Sequence, residues 1–121
     1  MESTAHAQAP SITERKSRIA FLNDQLRKTG LGGKFVITGG VASLGDEKLA
    51  GVVNAMREYD TWSEDNDPHG EHDFGMLTLA NSQKVFFKID YYDTRMEFGS
   101  DDPADPEKTT RVLTLMLAEE Y

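Results

Sequence analysis

The chain contains no cysteine, which excludes disulfides, thiolate nucleophiles and cysteine-held zinc. It also has no apolar run near the roughly 20 residues that cross a bilayer. The N-terminus lacks the charged-then-apolar pattern of a signal peptide, so a cytoplasmic protein away from membranes is the expectation. Positive charge is scarce too. Thirteen Lys and Arg stand against 21 Asp and Glu, for a net charge of -8 and a pI near 4.8. Direct nucleic-acid binding needs a basic face and is disfavoured. What remains is 121 residues, 38% of them hydrophobic, enough for one domain with a modest core.

The charge is unevenly placed. Residues 1–59 hold 8 bases and 6 acids, whereas residues 60–107 hold 3 bases and 13 acids, a local charge of -10. Eight of the eleven aromatics fall between Tyr59 and Phe98. Acid and aromatic side chains thus share one stretch, and the interesting surface is expected there.

Residues 1–10 are small and polar, end at Pro10 and are expected to be a disordered tail. A single α+β domain is expected over 11–121. Ser11-Ile12-Thr13-Glu14 reads as a capping box. Ile12, Ile19, Leu22 and Leu26 follow at helical spacing, and Gly30 ends the helix. Its other face carries Arg15, Lys16, Arg18, Arg27 and Lys28, a basic face able to balance the acidic loops internally. Lys34–Thr38 reads as a short strand between the glycine pairs 32–33 and 39–40. A second helix is expected from Ser43 or Asp46 to about Tyr59, with Leu49, Val52, Val53 and Met56 as its buried stripe.

Residues 61–70 read as a loop, and His72–Leu79 and Lys84–Tyr92 as strands turning at Asn81-Ser82-Gln83. Arg95–Phe98 is a candidate third strand. Asp105-Pro106-Glu107 has the chemistry of a helix start, so Val112, Leu113, Leu115, Met116 and Leu117 are expected on a last helix. Its end, Glu119-Glu120-Tyr121, puts acids at the negative end of a helix dipole, which asks for a basic neighbour, either the first helix or a partner. The expected architecture is a small antiparallel meander packed by about three helices in two layers.

The densest chemistry lies in Glu64-Asp65-Asn66-Asp67-Pro68-His69-Gly70-Glu71-His72-Asp73-Phe74-Gly75. Counted as an EF-hand from Asp65, Gly70 falls correctly, but the bidentate glutamate is replaced by Met76, and that motif is rejected. Asp65, Asp67, His69, Glu71, His72 and Asp73 remain as alternative ligands for a small metal-dependent hydrolase. The two histidines are three apart beside a proline and a glycine, not at i and i+4 on a helix. Asp65 and Asp67 equally suit bonding to loop amides. No dinucleotide fingerprint, phosphate loop or nucleophile elbow is present, and no cofactor is expected. Lys88 and Asp90 with Asp73 lack the acid two positions before the lysine, where Phe86 stands, which argues against a nuclease core.

The segments Glu64–Gly75, Lys88-Ile89-Asp90-Tyr91-Tyr92-Asp93, Gly99–Pro106 and Thr109–Thr114, continuing to Glu119-Glu120-Tyr121, together resemble one family. It is a group of small bacterial proteins catalogued only as a domain of unknown function. The likeness runs from about Ile19 to Tyr121. The resemblance implies residence on plasmids and other mobile elements, and it implies no catalytic residue.

The functional expectation is therefore a non-enzymatic protein-binding or regulatory module. Its acidic loops, with Trp62, Glu64, Asp65, Asp67, Tyr91, Tyr92, Asp93, Asp101, Asp102 and Asp105, would meet a partner protein with a basic surface. An inhibitor of a host defence or DNA-processing complex is the expected subclass.

Overall fold

The computed structural model describes residues 10–121. Of the expected tail, all but Pro10 lies outside the described residues. Helix α1 (Ile12–Thr29) opens with the expected capping box: Glu14 N–H donates to Ser11 Oγ and Ser11 N–H donates to the Glu14 carboxylate, each at 3.0 Å. It closes at Gly30, whose φ of 78° is the left-handed conformation glycine adopts freely. Strand β1 (Lys34–Ile37) leads into a four-residue helix α2 (Gly39–Ala42) and then α3 (Asp46–Glu58). Strands β2 (Phe74–Thr78) and β3 (Lys84–Tyr92) form a hairpin, and β4 (Thr110–Leu117) is followed by a 3-10 turn at Ala118–Glu120.

The sheet order is β1-β4-β3-β2. Strands β2, β3 and β4 are antiparallel neighbours, while β1 joins β4 in parallel, with Lys34 beside Val112 and Ile37 beside Leu115. The protein is α+β, but the sheet is mixed rather than a meander. One face carries Val85, Phe87, Ile89, Leu113, Leu115 and Leu117, packed with Leu26 of α1 and Val52 and Met56 of α3. Burying each of these large side chains contributes about 1.5–3 kcal/mol. Gly75 is required in this layer, because the Phe87 ring occupies the space a Cβ would need. The opposite face carries a Phe74, Phe86 and Tyr121 cluster with centroids 5.1–5.9 Å apart.

Four expectations are corrected. The last helix is instead strand β4, aligned with β3 from Val85 beside Leu117 to Tyr92 beside Thr110. Arg111, Leu113, Leu115 and Leu117 point to the helices, whereas Val112, Thr114 and Met116 fall on the other face, so both faces of this inner strand are apolar. The Asp105-Pro106-Glu107 start signal makes a turn in which the Asp105 carboxylate accepts Glu107 N–H at 2.9 Å. Arg95–Phe98 is no strand. The Asp93 carboxylate accepts the amides of Arg95 and Glu97 and folds the segment into a turn, with Met96 at φ 60°. Finally, among the described residues the acidic end meets no cation, from the first helix or elsewhere. Glu120 accepts bonds from Thr38 Oγ1 at 2.6 Å, Leu117 N–H at 2.8 Å and Gly40 N–H at 3.1 Å, and these, the Thr38 hydroxyl first, hold its carboxyl below the ordinary value.

Candidate functional site

Polar residues rather than apolar ones fix α1 against the loops. Asn23 is fully buried. Its amide donates to Tyr91 Oη at 2.8 Å and to the Glu71 carbonyl at 3.0 Å, and its Oδ1 accepts Arg111 Nε–H at 2.8 Å. The Tyr91 hydroxyl donates onward to the Glu71 carboxylate at 2.8 Å. The Arg111 guanidinium lies over the Tyr91 ring and donates to the Pro103 carbonyl. One continuous chain therefore joins the loop before β2, through Glu71, to the loop before β4, through Pro103. Burial pushes the Tyr91 hydroxyl well above its ordinary value and the Arg111 guanidinium below its own, the latter opposed by Tyr91 and Glu71.

A second cluster adjoins it. Arg27, expected on the basic face of α1 away from its apolar stripe, is buried. It donates to the Met56 carbonyl at 2.9 Å, to the Arg57 carbonyl at 3.1 Å and to Asp24 at 2.9 Å. These carbonyls end α3, where a cation complements the helix dipole. Asp24 also faces His72 Nδ1 at 2.9 Å, and the imidazole stacks on Trp62 with centroids 4.2 Å apart. His72 holds a positive φ of 58°, rare for a residue with a Cβ and sustained here by Asp67, whose Oδ1 accepts the Glu71 and His72 amides at 3.0 and 3.1 Å. At the other end of α1, Arg15 pairs with Asp102 at 2.8 Å and Arg18 Nε donates to the Ala104 carbonyl at 2.8 Å.

The proposed partner residues thus separate into two groups. Asp67, Tyr91, Asp93, Asp102 and Asp105 make the internal bonds just described, and Trp62 lies half-buried between His72 and Arg27. Glu64, Asp65 and Asp101 are exposed, and Tyr92 is half-buried at the end of β3. Of the alternative metal ligands, Asp67 and His72 face each other at 3.8 Å, while Glu71 holds Tyr91 and Asp65 is exposed. Among the described residues, no three His, Asp or Glu side chains converge to hold an ion.

His69 and Asp73 instead line an open cleft of about 290 Å³ with Asn66, Lys88, Asp90 and Tyr121. Lys88 and Asp90 pair there at 3.1 Å. Burial, then the nearby Glu71, raises the Asp73 carboxyl above its ordinary value. The cleft thus brings together two acids, a histidine and a cation.

Sequence reasoning placed the acidic loops but missed Asn23, Arg27 and Arg111 as the residues that carry them. The one available signal was position: Asn23 and Arg27 fall at i and i+4 beside the apolar Ile19 and Leu26, on the inward side of α1.

Residues 37–120 match the family described as "Protein of unknown function (DUF3768)", and the chain belongs to it. The matched region takes in both acidic loops, Arg111 and Tyr91, while all of α1 and all but the last residue of β1 precede it. No curated protein and no solved structure matches the chain.

Proposed function

We propose that the protein is a non-enzymatic binding module whose two acidic loops engage a partner protein with a basic surface. The observation that carries this reading is the shared anchor: the chain Glu71–Tyr91–Asn23–Arg111–Pro103 holds both loops along one helix. Binding loops mounted this way lose little conformational freedom on association, which raises affinity without added contacts. The acids left exposed after internal bonding, including Glu64, Asp65, Asp101 and Glu107, favour capture of a cation-rich surface by long-range attraction. Nucleic-acid-handling proteins have such surfaces, and an inhibitor that occupies one is the subclass this reading favours.

The test neutralises the exposed acids while sparing the bonded ones. A Glu64→Gln, Asp65→Asn, Asp101→Asn, Glu107→Gln variant should keep the wild-type melt and lose most proteins retained from a heparin-binding fraction, as wild type should at high salt. Identical retention by variant and wild type at low and high salt overturns the proposal.

A further inference from the structure

The two edges of the sheet are treated differently. Strand β2 alternates along its length, with Gly75 and Leu77 buried. Strand β1 has no buried residue at all, with Phe35 43% exposed and Val36 44%. Natural edges are usually blunted by charge, proline or a bulge, and here only Lys34 serves.

We propose that β1 is the seam of a homodimer, pairing antiparallel with β1 of a second copy about a two-fold axis at Val36. The backbone sets the register. Thr38 N–H donates to the Leu115 carbonyl at 3.1 Å, so by strand alternation Lys34 and Val36 also turn their amides to β4. The N–H and C=O groups of Phe35 and Ile37 then point outward. With Val36 opposite Val36, Phe35 of each copy exchanges both its bonds with Ile37 of the other. Every outward group of the strand is satisfied, and a continuous eight-stranded sheet results.

Side chains and charge select a second copy as the occupant. Phe35 meets Ile37 on the helix-bearing face and Val36 meets Val36 on the open one. Lys34 comes beside Thr38 of the other copy, whose hydroxyl holds the Glu120 carboxylate, so opposite charges meet twice across the axis. Residues 25–45 contain no acid in a chain with 21 of them. The acidic loop leading into β2 lies at the far edge of the sheet, which keeps its charge away from the seam.

Light scattering on the full chain should give twice the 13.5 kDa chain mass at concentrations on the order of 100 μM, with dissociation on dilution. Phe35→Pro removes an outward N–H and no bond to β4, and Val36→Lys sets two cations together; both should be monomeric with a wild-type far-ultraviolet spectrum. Because the chain has no cysteine, Val36→Cys reports the register directly. Facing residues of a non-hydrogen-bonded pair suit a disulfide, and this variant should oxidise to a covalent dimer while Ser82→Cys does not. A monomeric wild type at that concentration overturns the proposal, as does a dimer that survives Val36→Lys and leaves Val36→Cys uncrosslinked.

Discussion

Helix α3 meets the sheet through Val52 and Met56, both almost wholly buried. Helix α1 rests on the same sheet face through Ile19, Ala20 and Leu26, but also through Asn23 and Arg27, which are buried just as deeply. Apolar contact is tolerant, since a smaller side chain leaves a void that neighbours partly fill. A buried hydrogen-bond chain is not tolerant, because removing one member leaves its partners desolvated and unpaired. Helix α1 is therefore positioned more exactingly than α3, and α1 is the helix that carries the loops.

The sharpest way to break this comparison is to remove what both helices share. Phe87→Ala should cost about 3–5 kcal/mol in a denaturant melt, since the ring is fully buried and also packs edge-on to Tyr59. Asn23→Ala should follow at about 2–4 kcal/mol, because it strands Arg111 and Tyr91. Val52→Ala on α3 should cost only about 1–2 kcal/mol. If the Val52 change proves the larger of the two, the polar chain is not what fixes α1. Arg15→Ala removes a half-exposed pair with Asp102 and should cost less than about 1 kcal/mol, vanishing in high salt.

The smallest effect is a pH dependence. The Asp73 carboxyl is raised above its ordinary 3.8, so the folded state binds this proton more tightly than the unfolded chain. The resulting stabilisation is complete below 3.8 and is lost as pH rises through the folded value. Asp73→Asn should thus melt higher than wild type at pH 7, with the advantage shrinking as the pH falls toward 3.8. A constant difference across that range would mean that burial of the charge at Asp73 has no thermodynamic consequence.

The legible parts of the fold were those governed by local chemistry. The Ser11 capping box, the Gly30 stop and the β3 alternation need only neighbours a few residues away. Strand β4 was misread because an inner strand is apolar on both faces, and its run Leu115-Met116-Leu117 has no period to distinguish it from a helix. The Asp-Pro-Glu signal before it serves a turn as well as a helix start. The site was legible only as charge. Arg27 read only as part of a basic helix face and Arg111 only as part of an apolar run, yet each is buried by partners far along the chain, the Asn23–Arg111 bond spanning 88 residues. No local pattern encodes such a partner.

The parallel pairing of β1 with β4 also orders events in time. Strand β1 leaves the ribosome early, but among the described residues its sheet neighbour is β4, which is made after β2 and β3. Until β4 arrives, β1 has no ladder, and Asn23 waits for Arg111 over the same interval. Closing such long loops is slow relative to forming the β2–β3 hairpin. The hairpin is thus expected to form first and to receive β4, with β1 and the grip on α1 completed last. The exposed edge at Phe35 and Val36 therefore belongs to the latest-folding part of the chain, and it is available for pairing only once every other strand is in place.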